Sequence, residues 1–147
     1  MELITEGAII QIFWLPDACA AYGKWSGFPT LRAVQEGLAK AAQTLRQFKS
    51  ARWISSTEEV IAAPADAQSH IVDWLRSMHD SKCLGSWADI PPRSPTARMV
   101  LKRLGEQSNV HGVAFAQFHT LDEAKAWISK RPLFGRELFE ASKPPSA

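Results

Sequence analysis

Apolar positions along this chain switch several times between two periods, one suited to strands and one to helices. Residues 8–15, AIIQIFWL, are almost continuously apolar and rich in β-branched and aromatic side chains, which predicts a well-buried strand. Pro16 and Asp17 then supply a turn, because the proline ring presets φ and the aspartate can bond its own backbone. A weaker strand over 18–25, ACAAYGKW, completes a hairpin. After GFPT (27–30), Leu31, Val34, Leu38, Ala41, Leu45 and Phe48 recur at helical spacing, with Arg32, Glu36, Lys40 and Arg46 on the opposite side. Glu36 and Lys40 stand at i,i+4 in the favourable order. Gly37 costs this helix about 1 kcal/mol relative to alanine.

The pattern then repeats. ARWIS (51–55) predicts a short buried strand, and STEEVIAAP a connection. Pro64 suits the first turn of a helix whose inner face carries Ile71, Trp74, Leu75 and Met78. KCLGSWADI (82–90) reads as a strand that PPRSP (91–95) ends. Ser94 as N-cap and Pro95 at the first helical position open a third helix, striped by Ala97, Val100, Leu101 and Leu104. GVAFAQFH (112–119) is the last strand, and Thr120 with Glu123 forms a capping box for a helix that buries Leu121, Ala124, Trp127 and Ile128. The order β-β-α-β-α-β-α-β-α predicts an α/β fold with right-handed crossovers. The expected sheet is mostly parallel, with four to five strands, four helices, and the last helix over the final sheet edge. One domain over 1–131 is expected, followed by 132–147. That last segment holds an apolar cluster (Leu133, Phe134, Leu138, Phe139) and a Pro/Ser end of the kind that stays disordered.

Composition narrows the classes. A chain of 147 residues with 46% hydrophobic content can bury a core without staples. A formal charge of +2 gives no footprint for nucleic acid. Cys19 and Cys83 each lie within an apolar run and read as reduced, buried thiols. The N-terminal stretch has acids at Glu2 and Glu6 and no basic leader, and no apolar run approaches the ~20 residues of a membrane span. The expected location is cytoplasmic. The six tryptophans must fill the core or line an interface.

YGKWSGF (22–28) before a long amphipathic helix, KSARWISS (49–56), and FHTLDEAKAWI (118–128) together resemble landmarks of STAS-like proteins. These are SpoIIAA-like domains, which share a βα superhelix with lipid-binding SEC14 domains. The resemblance spans roughly residues 9–130. It implies a single SpoIIAA-like domain: an N-terminal hairpin, then a βα superhelix. It also implies a regulatory role in which a serine after the third strand is phosphorylated, and WISSTEEVIAAPAD places Ser55 and Ser56 there as the acceptors. The family's Gly and preceding Asp are not present, and Glu58 and Glu59 add like charge beside such a phosphate.

Catalytic patterns do not emerge. His70, His79, His111 and His119 lack metal-ligand spacing, and no zinc site or other cofactor is expected. Cys83 reads as strand interior, where thiols are inert. The expectation is a non-enzymatic STAS-like module that binds a protein partner or itself. The alternative is a carrier or sensor of a small apolar, lipid-like molecule. No nucleic acid and no membrane span enter the picture.

Overall fold

The computed structural model describes residues 1–6 and 9–133. In chain order the elements are β1 (Glu2–Glu6), β2 (Ile10–Leu15), β3 (Ala20–Gly27), α1 (Leu31–Gln47) and β4 (Arg52–Val60). Then come α2 (Ala65–Asp80), β5 (Ser86–Ile90), α3 (Pro95–Val110), β6 (Ala114–Gln117) and α4 (Leu121–Ile128). The strands form one six-stranded sheet in the order β1-β2-β3-β4-β5-β6. The first three run antiparallel to one another, and β3 to β6 are parallel.

Each parallel crossover steps one strand in the same direction. Connections of one hand therefore place α1, α2 and α3 on one face. The larger core records this: Val34 and Leu38 from α1, Leu75 from α2 and Leu104 from α3 pack against Trp53 and Trp87. The helix α4 follows the last strand and lies on the other face, where Ala124 and Ile128 join Tyr22, Ile54 and Ala88. The expectation that the last helix covers the final sheet edge is thus corrected. It covers the middle of the second face, over β4 and β5, because eight residues after a short edge strand reach back across the sheet.

Four expected features differ. The sheet has six strands, not four or five, because β1 pairs antiparallel with β2. Its Leu3 and Ile4 are 50% and 38% exposed, so it is an edge strand with little apolar signal. The stretch 56–60 continues β4 and is not a connection. Residues 82–85 form a turn before β5, with Lys82 at φ 62°, so Cys83 is half-buried in that turn and outside the strand. Cys19 is likewise half-buried, at φ 48° in the hairpin turn. Each of these two turns places one residue in the left-handed region, and that geometry keeps both thiols outside the strands.

Helix ends agree closely with the residues expected there. Ser94 and Thr120 accept from the backbone N–H of Ala97 and Glu123. Glu123 reaches back to His119 N–H, one residue beyond the N-cap. Pro64 is the N-cap of α2, one position earlier than expected. Gly37 is explained by contact: a Cβ there would lie 2.8 Å from both Ile10 and the Trp25 ring, so the helix gives up propensity for a close approach to the sheet.

A second device ties α4 down. The Arg52 guanidinium donates to the carbonyls of Ala18 (2.8 Å), Ser129 (3.0 Å) and Arg131 (2.7 Å). A cation at the C-terminal end of a helix also suits the helix dipole. Ala51 N–H donates to Leu133 O, so the chain beyond α4 is strapped across the start of β4. Of the apolar cluster expected at 133–139, only Leu133 is described. The rest of the 132–147 segment lies outside the described residues. At the outer edge of β6, Asn109 Oδ1 accepts from Phe115 N–H at 3.0 Å.

Candidate functional site

Two cross-strand rows define the helix-covered face. Sheet register aligns Ala21, Trp53, Trp87 and Phe115 in one row, and Gly23, Ser55, Asp89 and Gln117 in the next. The first row is apolar and packs into the helices, with Trp87 edge-on to Phe115 at 4.6 Å between ring centroids. The second row is polar and lies toward the C-terminal ends of the strands. Gly23 belongs there because any larger side chain would run into the Trp53 ring.

Asp89 organises the polar row. It has no solvent exposure. Ser55 Oγ donates to Asp89 Oδ1 at 2.7 Å, and Gln117 Nε2 donates to Oδ2 at 3.1 Å. Thr57 Oγ1 lies 3.0 and 3.2 Å from the two carboxylate oxygens and 3.1 Å from the Ile90 carbonyl. Trp87 Nε1–H in turn donates to Ser55 Oγ at 2.8 Å. Burial pushes the Asp89 carboxyl up to about 6, against the bonds from Ser55, Gln117 and Thr57, which hold it down.

Above this network is a cavity of about 60 Å³ between the sheet and α1 to α3. Trp25, Trp53, Trp74 and Trp87 line it, and among the described residues Ser55 and Thr57 bring the only hydroxyls to it. Its half-exposed lining residues, Ala63, Ile71, Trp74 and Val100, place the mouth on the seam between α2 and α3. Trp74 Nε1 is buried and has no hydrogen-bond partner. One enclosed water needs roughly 10–15 Å³ of such space. The cavity therefore suits a compact group and is too small for an extended acyl chain.

A second, polar cleft of about 350 Å³ opens at the C-terminal ends of β4, β5 and β6. Arg93 there lies 3.6 Å from Glu58, and Arg98 Nε donates to Pro92 O at 3.2 Å. His119 lines this cleft, as does Gln117, so Gln117 links the cleft to Asp89.

Ser55 and Ser56 are both 2% exposed within β4. They are not in a loop before a helix, and they face opposite sides of the sheet. Ser55 is held by Asp89 and Trp87, while Ser56 Oγ is 3.5 Å from Glu58 Oε1 on the face of Tyr22. Burial pushes the Tyr22 hydroxyl up, the hydrogen bond with Ser56 opposes that, and the charge of Glu58 adds to it. Both serines are thus enclosed in the folded chain. The histidines are dispersed: His79 packs on Gly112, His111 caps α3, His70 lies on α2, and His119 lines the polar cleft. Among the described residues no group of three or more His, Cys, Asp or Glu is placed to hold a metal ion. No helix among them is long and apolar enough to cross a membrane.

The sequence reading missed Asp89, Thr57 and Gln117. The available signal was a single acid inside the apolar strand SWADI, at the position alternate to Trp87.

No protein-family model matches the chain, and no curated protein matches it. Among solved structures, it is similar to the crystal structure of an uncharacterized protein of the DUF3478 family with a SpoIIAA-like fold from Shewanella loihica PV-4. The TM-score is 0.60 at 15% identity, covering 87% of this chain and 98% of that one. At that identity the likeness carries the fold alone. Element order, sheet direction and structural likeness agree that this chain has a SpoIIAA-like α/β fold.

Proposed function

We propose that the protein is a non-enzymatic STAS-like binding module whose tryptophan-lined cavity takes a compact, mainly apolar small molecule. The observation that carries this reading is the cavity itself. It is lined by four indoles and opens on a helix seam, and one of those indoles, Trp74, has a buried N–H without a partner. Ligand sites are usually apolar walls with a few convergent polar groups, and this combination fits that description. A nucleophilic role for Ser55 is disfavoured, because its oxygen already donates to Asp89 and accepts from Trp87, and its base is a carboxyl with no imidazole between them. The test is native mass spectrometry of protein purified from its host. A small adduct is expected on the wild type and not on Val100→Trp, which fills the mouth. A wild type always at its bare mass, with indole emission unmoved by a panel of small alcohols and amines, overturns the reading.

A second reading, protein interaction or self-association, is favoured by one observation. Phe28 and Ile61 are 61% and 50% exposed, and they flank the bond from Ile61 N–H to Gly27 O at 2.8 Å. Together they form an apolar step at the ends of β3 and β4, the kind of feature a partner surface covers.

A further inference from the structure

We propose that the tryptophan-lined cavity recognises a methylated or quaternary ammonium group on a molecule that also carries a neutral oxygen acceptor. This rests on the ligand-binding reading above and adds the chemistry of the occupant.

The walls are the first argument. Indole is the strongest aromatic partner for an organic cation, and the attraction grows where water is excluded. Four indoles line this cavity, with Trp53 and Trp74 at 64° to one another and 6.1 Å between centroids. The floor is the second. Ser55 and Thr57 line the cavity, and both donate to Asp89 behind them. Among the described residues the donors to that carboxylate, Ser55, Thr57 and Gln117, are all uncharged. Buried ionised carboxylates are rarely left without a cation. Arg93 and Arg98 lie beyond Gln117 in the exposed cleft, one beside Glu58 and the other on a proline carbonyl. A cation seated over Ser55 and Thr57 supplies an opposite charge one hydroxyl away from the carboxylate. The third argument is that Trp74, a residue of the cavity wall, has a buried N–H without a partner, a group that calls for an acceptor such as a hydroxyl or carbonyl oxygen. Size agrees, since a methylated ammonium is compact and more weakly hydrated than a bare ammonium, and so enters a small apolar space at lower cost than that ion. A carboxylate or phosphate ligand would face Asp89 as a like charge, and a pure hydrocarbon would leave both Asp89 and Trp74 unanswered.

The test compares choline with 3,3-dimethylbutan-1-ol, which has the same shape with carbon in place of charged nitrogen. Both are titrated into the full chain and followed by indole fluorescence and calorimetry. Choline is expected to bind at least about tenfold tighter than its neutral isostere. Asp89→Asn should reduce that preference. Trp74→Leu, which keeps an apolar side chain at this half-exposed position, should reduce it independently. Equal affinities overturn the ammonium assignment while leaving the ligand-binding reading in place, and binding of neither overturns both. Sedimentation with phosphatidylcholine vesicles, against phosphatidylglycerol vesicles, separates the two sources of this headgroup. Selective co-sedimentation assigns a lipid headgroup, and choline binding without it assigns a free small molecule.

Discussion

Asp89 is the residue on which most of the site turns, and its environment makes a pH prediction. Its carboxyl titrates at about 6 in the folded chain against an ordinary 3.8. Between those values the folded state holds a proton that the unfolded state has lost, so this group stabilises the fold fully below pH 4. That contribution disappears as pH rises through 6. Two units correspond to roughly 3 kcal/mol. Urea midpoints measured from pH 4 to 7 should show wild type losing about this much relative to Asp89→Asn, which has no charge to bury. Parallel profiles for the two proteins would show that Asp89 is not desolvated as described. The indole above it gives a companion case. Trp87 holds Ser55 from one side while Asp89 holds it from the other, so the serine hydroxyl has one orientation.

Among the elements, the helices were the most legible in the sequence and the sheet the least. The stripe of Val34, Leu38, Ala41 and Leu45 is the buried face of α1, and these four are at most 3% exposed. Helical period survives single polar substitutions, so the pattern is robust. Strand period does not. The second half of β4 was hidden because Ser56, Thr57, Glu58 and Glu59 read as a polar connection, and one of the hydroxyls that disguised the strand, that of Thr57, floors the cavity beside Ser55. Their partners come from sheet register, which aligns Ser55 with Asp89 across 34 positions of sequence. A linear pattern carries no information about that alignment. The strand β1 was hidden for another reason, its exposed edge position. Arg52 belongs to this scale too, since it joins β4 to the end of α4 and to the hairpin. Arg52→Ala should lower stability by about 2–4 kcal/mol, because it leaves several carbonyls without a charged donor. Arg52→Lys should recover less than half, since an ammonium lacks the planar fork. Chemical denaturation followed by tryptophan emission gives both values, and an unchanged midpoint in Arg52→Ala would remove the strap from the account of α4.

For the molecule as a whole, the sheet has one face under three helices and the other under one. That asymmetry places the cavity on the heavily covered side and the apolar step of Phe28 and Ile61 at the strand ends nearby. If the second functional reading holds, light scattering after size exclusion should give a mass above the 16.3 kDa of one chain. The double substitution Phe28→Ser, Ile61→Ser should return it to a monomer. A monomeric wild type at its highest soluble concentration would rule out self-association through this step. The other flank behaves differently. On β6 the outward N–H of Phe115 is already taken by the side-chain amide of Asn109. An incoming strand from a neighbouring copy would have to displace that plug before it could add to the ladder. Growth of the sheet into fibrils is thereby resisted on this side by one asparagine, and its loss would cost shelf life more than fold.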